Sequence, residues 1–342
     1  MSAMPSFVGR LSGIHASIAS RTDSSPAGKT DNSVPVNVAV VGAGLAGLSA
    51  AIFLQKRGVD VVLFDRHHTL AGQGVETTVG VLFQECFRAS GIDLTADLEF
   101  IGAPIASYVV RDGTGAVTSR ERIDATKQAF GRRSYDVSRP ELMRLLLNKF
   151  VEMGGVFRGG CTLESVRLVD EHVAEIHFDE GLVIRTPSLI AADGIHSKVR
   201  RQLFDTTEPE YPGVSLVYGI LPGQAGLIKD ELESFQMMLA DEFSVLTSHY
   251  LGEKPETWFA VLSRSEKPLL NRLIWAEGKS DAEAGALKLL SSSAFLKGAF
   301  LNEKPPRFIY SGGLQTREMS SSFAWSKGPC LLIGDAVHGE PQ

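Results

Sequence analysis

Glycine and aspartate side chains at strand ends carry the chemistry this sequence announces. Val38-Ala-Val-Val-Gly42-Ala-Gly44-Leu-Ala-Gly47 spaces its glycines as Gly-x-Gly-x-x-Gly. In that spacing the first glycine permits a tight turn, the second lets backbone approach a pyrophosphate, and the third lets a helix pack close to a strand. The helix start then offers unpaired N–H groups and partial positive charge to phosphates. Asp65 ends Val61-Val-Leu-Phe-Asp65, 18 residues beyond Gly47, where a carboxylate accepts hydrogen bonds from a ribose. Arg66 follows it as a further candidate for ligand contact. Asp193-Gly194 and Gly334-Asp335 each end another apolar run. An ionised acceptor beside a flexible glycine can reach a sugar or polyol hydroxyl. Read singly, each is a turn with an N-cap aspartate; read together, downstream of the glycine motif, they point to one extended nucleotide ligand.

The elements that must position these residues are legible in outline. Val36–Val41 and Val59–Phe64 are short Val-rich runs, the pattern of buried parallel strands. Leu45–Arg57 between them reads as a helix stopped by Gly58. Such a βαβ start needs both faces of its sheet covered. Asp112-Gly113-Thr114-Gly115 marks a hairpin after Ile101–Arg111. Arg139–Met153 reads as a helix with Pro140 in its first turn and Gly154-Gly155 at its end. Pro187 is awkward inside the strand Val183–Ala192 and predicts an edge or bend there. From Ser215 to Ser263 short strand-like runs (Ser215–Leu221, Phe235–Leu239, Phe243–Tyr250, Thr257–Ser263) predict an antiparallel sheet. Asp281–Leu290 reads as a helix and Pro329–Ile333 as a returning buried strand.

Composition narrows the class. The chain has 342 residues, 44% hydrophobic and 22% charged, with net charge −6, ordinary for a globular protein. No basic run suggests nucleic acid. Cys86, Cys161 and Cys330 are far apart; they form no C-x-x-C, read as small core residues, and fit a reducing compartment such as the cytoplasm. Val36–Leu54 is long enough for a membrane span of roughly 20 residues, but its glycines read better as strand–turn–helix, so no transmembrane segment is expected. Residues 1–35 are rich in Ser, Thr and Ala and read as a disordered extension, with a weak mitochondrial-targeting character as the alternative.

With these motifs the chain resembles the single-component FAD-dependent monooxygenases, the aromatic hydroxylases, over roughly Val36 to His338. The resemblance implies an α/β fold: a Rossmann-like FAD-binding domain with a parallel sheet, interleaved with an antiparallel-sheet substrate domain. It assigns Gly42, Gly44, Gly47 and Asp65 to the ADP half of FAD, and Gly74, in Gly72-Gln-Gly-Val75, to a segment lying against the cofactor. Arg139, in Val137-Ser-Arg-Pro-Glu-Leu142, matches a flavin-contacting arginine. Asp193 matches a segment touching both FAD and NADPH, and Asp335 a residue on the ribityl chain. The implied reaction uses NADPH to reduce the flavin and O2 to form a hydroperoxide. One oxygen then passes to a small aromatic or polyketide-like substrate. The family continues past the counterpart of His338 into a Gly-rich turn and a helix. Here four residues follow His338, the pattern of a C-terminally shortened member, which is expected to hold FAD weakly.

The corresponding division is 36–80, 133–210 and 305–342 for the FAD-binding domain, and 81–132 with 211–304 for the substrate domain. Alternatives are another flavoprotein oxidase or dehydrogenase, a halogenase (whose W-x-W-x-I-P segment is absent, Trp258, Trp275 and Trp325 being isolated), or a non-enzymatic remnant of the fold. No catalytic acid or base is assigned. Tyr218, His249 and Tyr250 read as sheet residues, and Arg132-Arg133 as a solvated turn.

Overall fold

The structure is a computed structural model that describes residues 33–70, 76–122, 130–222, 234–239, 243–250, 256–269, 272–273, 281–301, 305–317 and 323–339. Its helices, in chain order, are α1 (Leu45–Lys56), α2 (Val81–Ala89), α3 (Thr95–Ile101), α4 (Arg139–Glu152), α5 (Lys198–Leu203), α6 (Asp281–Leu290) and α7 (Ala294–Leu301).

The apolar runs at Val38–Val41, Val61–Asp65, Leu189–Ala191 and Cys330–Leu332 form the centre of a six-stranded sheet. They pair in parallel: Val41 lies opposite Phe64 and Ala191, and Ala191 opposite Leu332. Strands that pair this way are buried on both sides, which is why they read as continuous hydrophobic runs rather than alternating ones. One face packs on α1 and α4, with Val40 and Leu63 against Leu48, Ile52, Leu146 and Phe150. Full burial of a side chain such as Leu48 stabilises by about 1.5–3 kcal/mol. The other face places Ala39, Phe64 and Leu332 against α5 and a four-stranded sheet that contributes Ile176, Phe178 and Ile184. Pro187 divides these layers. Val183–Thr186 belongs to the four-stranded sheet, and after two intervening residues Leu189 begins a strand of the six-stranded one.

An eight-stranded sheet carries the later strands and the predicted hairpin. Its strands Val214–Pro222, Glu256–Arg264, Phe243–Tyr250 and Ser234–Leu239 pair antiparallel in that order, so the first run lies beside the last and the others follow backwards along the chain. Side chains alternate across the sheet. Val217, Val245, Phe259, Val261 and Phe308 pack on α6 and α7. Tyr218, Ser248, Trp258 and Tyr310 occupy the opposite face, Tyr218 directly beside Tyr310. That face meets a three-stranded sheet of Glu76–Val79, Ser134–Ser138 and Gly102–Ile105. Helices α2 and α3 join the first core through Phe87 and Leu98.

Candidate cofactor site

Because the central strands are parallel, their carboxyl ends fall along one edge. Gly42 follows the first strand, Asp65 ends the second, Asp193 lies two residues past the third and Asp335 three past the last. Backbone bonds carry the register into the loops. The N–H of Gly42 donates to Phe64 O (2.8 Å), that of Ala192 to Val41 O (2.8 Å), and that of Ile333 to Ala191 O (2.9 Å). Residues as distant as 42 and 335 therefore arrive at one place as a consequence of strand pairing.

Each glycine of the first motif has its own physical reason. Gly42 holds φ +103°, and a Cβ there would lie 2.3 Å from Ala192 O. A Cβ on Gly47 would meet Gly42 O at 1.9 Å, so helix α1 crosses the turn only because Gly47 has no side chain. Gly44 faces open space. Helix α1 starts at Gly44 with no side-chain cap and no acid in its first turn. Its first N–H groups, which have no partner within the helix, are thus offered outward. Asp65 accepts the Ala43 N–H through Oδ2 and the His67 N–H through Oδ1, both at 2.8 Å. It fastens the glycine turn to the neighbouring strand; Oδ1 also contacts His67 Nδ1 (3.0 Å), and Oδ2 retains a lone pair for a ligand hydroxyl.

A cleft of about 350 Å³ lies over this edge, and Gly42, Gly44, Asp65, Arg66, Arg139 and Asp193 line it. That volume is at the lower end of the roughly 300–1,000 Å³ usual for small-molecule sites. Gly47 lies beneath, against Gly42. Asp193 accepts Ser197 Oγ (2.6 Å) through Oδ1 and the Lys198 (2.8 Å) and Val199 (3.2 Å) N–H groups through Oδ2. It is thus the capping acid of α5 as well as part of the cleft wall. Burial raises its pKa, and these hydrogen bonds oppose the shift. Asp335 is not among the lining residues, but its turn abuts the cleft: a Cβ on Gly334 would come within 2.7 Å of Ala46 Cβ in the first turn of α1. Burial raises the Asp335 pKa, and Arg139 and His338 pull the other way. Arg139 opens α4 and is half-buried. Its charge reaches Asp335, Tyr218 and Tyr310, so it stands where the cleft meets the eight-stranded sheet. Gly74 lies outside the described residues, as do residues 1–32 and the side chains of His249 and Tyr250.

Two expectations are corrected. Cys86 is exposed on α2, because the helix turns its apolar stripe of Val81 and Phe87 inward and leaves Cys86 outside, and Cys161 is half-buried in the cleft wall. Cys330 is buried as expected. Arg132 is not solvated: its side chain is 13% exposed and ties α2, through Glu85 (2.9 Å), to the turn before α3, through Asp93 (3.0 Å).

One cluster was missed by the sequence reading. Glu76 and Asp136 share a face of the three-stranded sheet through the pairs Glu76–Ser138 and Thr78–Asp136. Thr78 donates to Asp136 (2.6 Å), and Ser248 of the eight-stranded sheet donates to Glu76. Burial pushes the Glu76 pKa up to about 7 against that hydrogen bond. Burial, and then the Glu76 charge, raise Asp136 well above the carboxylate range. Glu76 is crowded by protein atoms yet keeps part of its surface accessible. Two carboxyls that meet only after folding, with a partner 172 positions away, leave no local signal.

A crevice at the carboxyl ends of parallel strands, entered by an uncapped helix start, makes this a dinucleotide-binding α/β protein. Within that class the chain belongs to the FAD binding domain family, with residues 35–341 matched. It is 29% identical over 194 residues to the 3-amino-4-hydroxybenzoate 2-monooxygenase of Streptomyces cremeus, covering 55% of this chain and 46% of that one. To the 6-hydroxynicotinate 3-monooxygenase of Bordetella bronchiseptica it is 23% identical over 315 residues, covering 88% and 76%. Among solved structures it resembles the 2,6-dihydroxypyridine-3-hydroxylase of Arthrobacter nicotinovorans, with a TM-score of 0.71, 21% identity and coverage of 90% and 78%. The chain spans 46% of the Streptomyces relative and 24% of two fungal FAD-dependent monooxygenases, from Nectria and Arthrinium. FAD is the cofactor of this family. The residues present fit it: Gly44 leaves open the space a pyrophosphate needs, α1 supplies donors with no competing cap, and Asp65 supplies an acceptor in the cleft wall.

Proposed function

We propose that the protein is an FAD- and NAD(P)H-dependent monooxygenase that uses O2 to hydroxylate a small aromatic or polyketide-like ring. The bound flavin supplies the redox chemistry, accepting reducing equivalents from NADPH and activating O2. The chain's own residues bind, orient and exchange protons. Gly42, Gly44 and the α1 start hold the pyrophosphate, Asp65 and Arg66 flank the adenosine ribose, and Asp193 and Asp335 address the ribityl side. Gly74 is assigned to the cofactor with them. The division into a cofactor part and a substrate part belongs to the same reading, as does a reducing, cytoplasmic setting, which the unpaired cysteines support.

The observation that carries this reading is the position of Arg139. It lines the cofactor cleft, and its charge reaches Tyr218 and Tyr310 on the inner face of the eight-stranded sheet. The cleft therefore leads to an aromatic face suited to a ring. The relatives support the same class, since their names specify hydroxylated benzoate and nicotinate rings. The Glu76–Asp136 pair, beside Tyr218, holds a proton near neutral pH, where a proton-exchanging group is most effective. The test is flavin retention after gel filtration, followed by a screen of phenols and hydroxypyridines for stimulated NADPH oxidation with formation of a hydroxylated product. Retained flavin with no stimulation by any ring compound would favour an oxidase or a binding protein.

A further inference from the structure

Arg317 belongs to none of the motifs above, yet it touches two of them. Its side chain is 7% exposed. Nε donates to Ile195 O (2.8 Å), Nη1 donates to Thr207 O (2.7 Å), and the backbone N–H donates to Gly339 O (2.7 Å). Ile195 lies two residues past Asp193 in the cleft wall, and Gly339 four past Asp335. Nη2 is buried with no hydrogen-bond partner among the described residues. The neighbouring Arg200 grips the same turn from α5, donating to Ala336 O (3.2 Å) and Val337 O (2.7 Å), but Asp205 pairs with it at 3.0 Å. Arg317 has no such carboxylate in contact among the described residues. Burial, followed by the Arg200 charge, lowers its pKa.

A guanidinium buried among carbonyls, with one donor unused, is a poor means of filling space, because burying charge without a carboxylate in contact is costly, and Asp205 and Glu208 offset that cost only from a distance. Its planar fork does set several acceptors at fixed separations. We propose that Arg317 is a positioning residue for the cofactor. Its guanidinium holds Ile195 O and Thr207 O and its main-chain N–H holds Gly339 O, so that the Asp193–Ile195 loop sits in register with the Asp335–Gly339 turn and the two aspartates address one FAD. This rests on the reading that both loops hold that cofactor.

The test compares the wild-type chain with Arg317→Lys and Arg317→Gln, measuring FAD affinity by fluorescence quenching, visible circular dichroism of the bound flavin, and the unfolding midpoint with and without FAD. Removing the charge-assisted bonds to Ile195 O and Thr207 O, while the main-chain bond to Gly339 O stays, is expected to weaken FAD binding about tenfold or more in Arg317→Gln. The lysine variant is expected to bind with intermediate affinity. Added guanidinium ion at sub-denaturing concentration should restore part of the loss, and the flavin circular dichroism should change in both variants, which a merely destabilised fold would not produce. If Arg317→Gln does not fold, the lysine variant decides. Unchanged affinity and unchanged circular dichroism in the folded variants overturn the role of Arg317, whatever happens to the midpoint. Failure of the wild-type chain to bind FAD overturns the cofactor reading, and this proposal with it.

Discussion

Gly42 and Gly44 are two residues apart and answer to different forces, which makes them separable by substitution. At Gly42 a side chain is opposed twice, by φ +103° and by Ala192 O at 2.3 Å. Gly42→Ala should therefore destabilise the fold itself, by at least the roughly 1–3 kcal/mol of a strained backbone, with the backbone clash in addition. Gly44 adopts φ −70° and ψ −179°, which any residue tolerates, and faces open space. Gly44→Val should leave the unfolding midpoint almost unchanged while weakening FAD binding by about tenfold, or about 1.4 kcal/mol, because the new methyl groups stand where the pyrophosphate would lie. Urea unfolding and flavin fluorescence, measured on both variants, check the pair. Equal losses of stability would show that Gly44 too is a packing glycine.

At the scale of elements, the face-to-face contact of the three-stranded and eight-stranded sheets carries a titratable joint. The pKa of Glu76 is raised from the usual 4.5 to about 7. Between those values the folded chain binds more protons at this site than the unfolded chain, so stability falls as pH rises. The favourable contribution is complete below about 4.5 and is lost through about 7, at most about 3 kcal/mol for this one group. Asp136, raised in the same sense by burial and then by the Glu76 charge, adds to the decline. Unfolding midpoints measured from pH 5 to 8 should drop in the wild-type chain and drop less in Glu76→Gln, which keeps an acceptor for Ser248 and cannot ionise. Parallel curves would remove Glu76 as the cause. The contrast with the cofactor edge shows what a linear sequence can reveal. The strand ends at Gly42, Asp65, Asp193 and Asp335 were legible because local hydrophobic runs and turn residues specify them, and parallel pairing then brings them together. Pro187 was legible for the same local reason. The Glu76–Asp136 contact and the Arg317 strut depend on sheet-on-sheet packing and on loops from distant positions. In the sequence Glu76 and Arg317 are ordinary polar residues of short segments, and nothing nearby distinguishes them.

For the molecule as a whole, the decisive feature is that the site has no segment of its own. Residues 34–342 form one compact unit, and its cofactor edge draws on loops near residues 42, 65, 193 and 335, joined by strand pairing across the six-stranded sheet. Between these loops the chain runs out into the three-stranded, four-stranded and eight-stranded sheets and returns. A ligand that binds only the assembled edge must therefore stabilise all of these layers together. With free FAD at 100 times its dissociation constant, the gain is about 2.7 kcal/mol. It should appear as an upward shift of a single unfolding transition, the same by intrinsic fluorescence and by far-ultraviolet circular dichroism. A second substitution tests the coupling from the far side. Phe259 is 1% exposed and packs its ring 5.2 Å from Phe300, on the face of the eight-stranded sheet turned away from the cleft. Phe259→Ala should lower stability by about 3–5 kcal/mol, and should do so for the one transition that FAD shifts. If that variant instead splits unfolding into two steps, with FAD moving only one of them, the sheets behave as independent domains, and the cofactor edge is stable without the layer above it.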